Sequence, residues 1–234
     1  MARLEINTDI PGWTKRYDLV LMSYMASKLT DDQKITEIGA WCGRSTWAFL
    51  HNSSSGVAID VVDPFLKPDV HSTAWQEKWL TTLGGSQENL ERLCDEQHDS
   101  LPWRRHFDHF VGQNLRITVH ETVSTEATGL YPEHTMIAFI DGLHTSGMPY
   151  HDMSLFIENE QCLIIMDDWF NFQFPDVSRA VEYAKSRFYR SIWVPPFGQC
   201  AWVLPKNGPL LAHCAHVIGR TMGHPNPKNI ENVL

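Results

Sequence analysis

Lys34-Ile35-Thr36-Glu37-Ile38-Gly39-Ala40-Trp41-Cys42-Gly43-Arg44-Ser45-Thr46 reads as a short strand, a turn carrying two glycines, and the opening of a helix that runs on through Trp47–His51. Glycines between a strand and a helix N-terminus let the backbone approach a ligand closely. The stretch is not the G-x-G-x-x-G dinucleotide fingerprint, because three residues separate Gly39 from Gly43 and no third glycine follows. It is not a Walker loop either, since no Gly-Lys-Ser/Thr is present.

Outward from this turn, three more apolar runs end in carboxylates, as the first does at Glu37: Val57 to Asp63, Met136 to Asp141, and Cys162 to Asp167-Asp168. Such runs predict strands buried on both faces of a parallel sheet, with the acids collected at one edge. That edge is where open α/β sheets bind ligands. A third strand over Arg116–Glu121, helices over Tyr150–Asn159 and Val177–Phe188, and an amphipathic helix within 13–30 (Tyr17, Val20, Leu21, Tyr24, Met25) complete the alternation. Ser191–Val194 and Cys200–Leu204 flank Pro195-Pro-Phe-Gly198 and read as an antiparallel hairpin. The expected fold is therefore one α/β domain over 1–234, a doubly wound, mostly parallel seven-stranded sheet with an antiparallel C-terminal hairpin.

Two segments fall outside this alternation. Residues 64–115 are too many for a bare loop and predict helices around Trp75–Thr82 and Ser86–Glu96, followed by the run Phe107–Leu115. They serve either as core packing or as a lid with an aromatic wall. Residues 206–234 show no clear period and predict a loosely ordered extension.

Composition narrows the function classes. The chain has 234 residues, 43% of them hydrophobic, enough for a sizeable core, and no apolar stretch of membrane-spanning length. Its start has neither a secretory signal nor an Arg-rich transit pattern. Five scattered cysteines with no C-x-x-C pair fit reduced thiols in a cytoplasm. A net charge of −9 argues against duplex nucleic acid as partner and for a small substrate.

A carboxylate at Glu37 beside a close-approach turn repels phosphate and welcomes a cationic, hydroxyl-bearing ligand. S-adenosylmethionine (SAM) has both features. Here the chain resembles the class I SAM-dependent methyltransferases, which are Rossmann-like, and more narrowly the metal-dependent small-molecule O-methyltransferases of the macrocin and mycinamicin type. The resemblance is carried by Glu-Ile-Gly-Ala-Trp-Cys-Gly-Arg-Ser-Thr (37–46), Val-Val-Asp-Pro-Phe (61–65), Phe-Ile-Asp-Gly-Leu-His (139–144) and Ile-Ile-Met-Asp-Asp-Trp (164–169). These stand in the expected order along a sheet from 35 to 204.

The resemblance implies that Glu37 and the turn Gly39, Ala40, Gly43, Ser45 border the methionine part of SAM, and that Asp63 meets the ribose hydroxyls. Asp60 competes for that role from mid-strand. Ser124 falls beside adenine, or is a plain turn former. Asp141, Asp167 and Asp168 would hold Mg²⁺ or another hard divalent cation; without a cation, three such carboxylates repel one another and their pKa values rise. Some relatives carry Glu where this chain has Asp167. The metal-free alternative has Asp141 touching SAM or capping the next helix. His144 is the candidate general base, as in the mycinamicin-type relatives; the acid other relatives use two residues after the first metal ligand is here Leu143, which closes that route. His151 and Asp152 face outward or pair locally, and Trp169, Phe170, Phe172 and Phe174 wall the acceptor pocket or belong to the core.

The implied activity is Mg²⁺-dependent O-methylation of a small hydroxylated acceptor, with no membrane partner and, by analogy with relatives that associate, a homo-oligomer. Two rivals remain: a SAM- or nucleoside-binding protein without transferase activity, and a metal-using oxidase or hydroxylase on the same scaffold.

Overall fold

The structure, a computed structural model, describes residues 4–65 and 103–222. In chain order the elements are α1 (Arg16–Ala26), β1 (Lys34–Ile38), α2 (Arg44–Asn52), β2 (Ala58–Val62), α3 (Trp103–Val111), β3 (Ile117–His120), β4 (Thr135–Ile140), α4 (Met148–Ser154), β5 (Leu163–Met166), α5 (Pro175–Phe188), β6 (Ile192–Trp193), β7 (Ala201–Val203) and α6 (Pro209–Met222). The seven strands form one sheet in the order β3-β2-β1-β4-β5-β7-β6. The first five are parallel; β7 runs antiparallel to both β5 and β6. The mostly parallel sheet with its C-terminal hairpin is thus the one the apolar runs predict.

Alternation along each strand sends side chains to two cores. Ile35, Ile59, Ile137, Phe139, Leu163, Ile165 and Trp202 face one layer, with Phe49 of α2, Phe107 of α3 and Leu210, Cys214 and Val217 of α6. Ile38, Val62, Ile140, Ile164, Met166 and Val203 face the other, with Met153 of α4 and Val177, Ala180, Val181 and Ala184 of α5. A strand buried from both sides has no solvent face, which is why β5 is wholly apolar, and the polar residues that β1, β2 and β4 do bury are paired: Thr36 with Thr135 at 2.8 Å, Asp60 with Lys34, and Glu37 with Ser45 and Thr46.

The register sets up the edge. Ile38 stands beside Val62 on one side and Ile140 on the other, and Ile140 beside Met166. Gly39, Asp63, Asp141 and Asp167 are therefore the first residues beyond the sheet, in a single row. The chain leaves β1 toward β2 in one direction and β4 toward β5 in the other, so the topological switch point, the place where open α/β sheets bind ligands, falls at the ends of β1 and β4.

Residues 206–222 contradict the expected loose extension. Pro209–Met222 is a helix of 14 residues, and Leu210, Cys214, Val217 and Thr221 bury one stripe of it. Part of that stripe rests on α1. Because α2 also packs on it, α1 is not amphipathic: every residue from Tyr17 to Ala26 is buried. The predicted helices at 75–82 and 86–96, and most of the 64–115 segment, lie outside the described residues; the part that is described contains α3. Among the described residues no helix is long and apolar enough to cross a membrane.

Candidate active site at the carboxyl edge of the sheet

The two glycines of the turn are required by the protein's own backbone. Gly39 has φ +87°, and a Cβ there would stand 2.5 Å from the carbonyl carbon of Asp141 and 2.7 Å from Gly142 N. No side chain fits that approach. Gly43, at φ +85°, lies under Phe107 and Val111 of α3. Between them, the Ala40 and Trp41 N–H groups each donate to Asp63 Oδ2 at 2.8 Å. Phe65 N–H donates to Asp63 Oδ1 at 2.6 Å. Asp63 thus clasps the glycine turn to the end of β2. Asp60, its rival in sequence, is occupied inside the sheet by Lys34 Nζ at 2.7 Å.

Glu37 and Ser45 are paired with each other. The Ser45 hydroxyl donates to Glu37 Oε1 and the Thr46 hydroxyl to Oε2, so the first turn of α2 satisfies the buried carboxylate. Burial still pushes Glu37 up to about 7, against the pull of its two hydroxyl donors. Ser124 donates to Asp152 Oδ1 at 2.5 Å, and Asp152 is 1% exposed. Asp152 therefore faces inward, contrary to one of the two sequence readings, because Ser124 satisfies it across the β3–α4 gap.

Asp141 and Asp168 converge on His144. Its Nε2 lies 3.4 Å from Asp141 Oδ1 and its Nδ1 3.6 Å from Asp168 Oδ2. These are ion-pair distances, and Nε2 is not aligned for a hydrogen bond. The Phe174 ring packs on the imidazole, centroid to centroid 4.8 Å. Burial lowers the His144 pKa, but Asp141 and then Asp168 and Asp167 outweigh it, so the net displacement is upward. Asp141 is driven well up, by burial first and by Asp167 second. Asp168 rises for the same two reasons. Of the four aromatics at 169–174, Phe174 packs on His144, Trp169 and Phe174 rest against the second core, and Phe170 and Phe172 are exposed.

Asp167 turns the other way, into the protein. Gln199 Nε2 donates to its Oδ2 at 3.0 Å and the Cys200 thiol to its Oδ1 at 3.2 Å. Neither residue is among the site residues that the sequence predicts. The signal lay in the hairpin: Met166 pairs with Ala201, which sets Cys200 opposite Asp167. Among the described residues no three potential ligands stand together as a ready-made metal site. The donor chemistry of Asp141 and Asp168 nevertheless suits a hard cation, because both are carboxylates that flank His144 and both are displaced upward, by burial and then by the charge of Asp167 behind them.

No family model matches the sequence, and no curated protein matches it. Solved structures do match. A Corynebacterium glutamicum protein from a structural genomics consortium aligns over 86% of this chain and 85% of its own, with 11% identity and a TM-score of 0.55. The O-methyltransferase NovP aligns over 81% and 80%, with 14% identity and a TM-score of 0.54. The calicheamicin methyltransferase CalS11 aligns over 83% and 82%, with 18% identity and a TM-score of 0.52. The chain therefore has the Rossmann-like fold that these methyltransferases share.

Proposed function

We propose that the protein is a SAM-dependent O-methyltransferase acting on a small hydroxylated acceptor. The observation that carries the reading is His144, held between Asp141 and Asp168 at the sheet edge, where the Asp141 backbone packs on Gly39. The fold shared with NovP and CalS11, both described as methyltransferases, supports it.

In this reading SAM enters as second substrate along the Gly39–Ser45 turn, with Asp63 toward the ribose, Ser124 toward adenine, and Glu37 acting through the α2 N-terminus that it fixes. The acceptor hydroxyl lies against His144. The imidazole takes the hydroxyl proton, the acceptor oxygen attacks the methyl carbon, and the carbon–sulfur bond breaks to leave S-adenosylhomocysteine. Upward displacement of the His144 pKa makes it a stronger base once deprotonated. Mg²⁺ or another divalent cation would be held by Asp141 and Asp168, with Asp167 behind them, and would supply positive charge that acidifies the acceptor hydroxyl.

The test is transfer of labelled methyl from SAM to a panel of sugar, polyketide-derived and phenolic hydroxyl compounds. Product formation that His144→Ala abolishes at saturating SAM, with SAM affinity retained, supports the assignment. A His144→Ala variant as active as the wild type removes His144 from the mechanism, and a panel without product at any pH or metal concentration counts against transferase activity.

A further inference from the structure

Behind the acidic edge lies a second set of polar contacts that begins on α1. Asp18 is fully buried, at 0% exposure, within a helix otherwise packed into the apolar core. Its Oδ2 accepts the Gln199 N–H at 2.8 Å, and its Oδ1 makes no hydrogen bond. Gly198 lies so close that a Cβ there would stand 3.0 Å from Asp18 Cγ. Burying a carboxylate with one oxygen unsatisfied costs free energy. The contact Asp18 does make is with the loop before β7.

Asp18 holds Gln199, and Gln199 reaches on to the acid pair. The side-chain amide donates to Asp167 Oδ2 at 3.0 Å, and the backbone carbonyl accepts the Trp169 N–H at 3.0 Å. The residue between those two anchors is Asp168, in the left-handed region at φ 57°. A non-glycine residue stays there when its surroundings over-determine it. Its carboxylate is the one that faces His144 Nδ1.

We infer that Asp18 and Gln199 are positioning residues, which aim Asp168 at His144 and keep the Asp167 carboxylate oriented through the loop before β7. The inference rests on the functional reading above for its consequence, since it assigns these residues to the acid set of that site. Neither residue touches substrate.

The test combines binding of Mn²⁺ alone with crystallography, on the full chain. Gln199→Ala and Asp18→Ala should weaken Mn²⁺ binding by about 10- to 100-fold, the usual range for losing an outer-shell partner, while S-adenosylhomocysteine affinity is unchanged. Asp18→Asn keeps an oxygen acceptor for the Gln199 N–H and should restore Mn²⁺ binding; a merely structural need for the charge would not be rescued. In an Asp18→Ala crystal structure, where the Gln199 backbone loses its anchor, Asp168 should leave the left-handed region or turn its carboxylate from His144, and in Gln199→Ala, which keeps the backbone contacts, the Asp167 carboxylate should turn. An unmoved Asp168 overturns the inference, as does unchanged Mn²⁺ affinity in both truncations of a protein whose wild type binds the ion. If the wild type binds neither Mn²⁺ nor S-adenosylhomocysteine, the functional reading fails, and the Asp168 conformation still decides the positioning claim. Should Asp18→Ala not fold, Gln199→Ala alone carries the test.

Discussion

Gly39→Ala probes the junction on which both fold and site depend. The new methyl would sit 2.5 Å from the Asp141 carbonyl carbon, whereas carbon contacts relax at about 3.5 Å or more, so the two strand ends must separate by about 1 Å. Forcing alanine to φ +87° adds about 1–2 kcal/mol, and overpacking a filled position costs about 1–3 kcal/mol. The total is roughly 2–5 kcal/mol, which for a chain of this length lowers Tm by roughly 4–20 °C. Because Asp141 carries one of the two carboxylates beside His144, the same shift misplaces the site, and a 1 Å misplacement costs on the order of 10²-fold in rate. Urea unfolding gives the stability, and S-adenosylhomocysteine titration gives the binding. A variant within about 0.5 kcal/mol of the wild type, the range of an ordinary surface change, with unaltered affinity would refute this account of the turn.

Three further outcomes follow from the geometry. In the metal-free protein the His144 imidazole should titrate above the ordinary histidine value of 6.5 when followed by NMR, because Asp141, Asp168 and Asp167 outweigh its burial; Asp168→Asn should move that titration to lower pH, and an unmoved titration would dissociate His144 from this cluster. The Arg190 guanidinium is 2% exposed and donates to the carbonyls of Leu204 (2.7 Å), Ile157 (3.2 Å), Asn159 (3.4 Å) and Cys162 (2.5 Å). Since each buried carbonyl left without its donor costs about 1–3 kcal/mol, Arg190→Met should lose more than about 3 kcal/mol in urea unfolding, and a loss below about 1 kcal/mol would show those bonds to be idle. Glu37, an acid raised from 4.5 to about 7, contributes stability that is fully present below pH 4.5 and lost as pH rises through 7. Glu37→Gln removes that loss, so the stability of the variant relative to wild type should improve by about 3 kcal/mol between pH 4.5 and pH 8; a pH-independent difference would contradict the burial of a free carboxyl there.

The sheet was legible because strands buried on both faces carry predominantly apolar runs, and Asp63, Asp141 and Asp167, which end three of those runs, marked the edge at residue resolution, whereas Glu37 falls within β1. Gly39 was legible as a close approach, though not its cause: the neighbour is the Asp141 backbone, which enters only through the β1–β4 pairing. Pairings of this kind hid the rest. Asp63 receives the Ala40 and Trp41 N–H groups, Asp152 receives Ser124, and Asp167 receives Gln199 and Cys200, all from distant parts of the chain. Helix α6 escaped notice because its buried stripe includes Cys214 and Thr221 beside histidines at 213 and 216, a weak apolar signal. Missing α6 in turn made α1 read as one-sided, when the core and α6 together enclose it.

The central claim is that the sheet edge formed by the Gly39 turn and Asp141 binds SAM and delivers its methyl group at His144. Calorimetric titration of the metal-stripped protein with SAM, then with added Mg²⁺, then with S-adenosylhomocysteine tests its first half directly. The account predicts micromolar SAM binding that Gly39→Ala weakens, and saturable Mg²⁺ binding that Asp168→Ala removes. No SAM binding with or without Mg²⁺ would contradict it and leave an α/β domain whose fold alone is shared with methyltransferases.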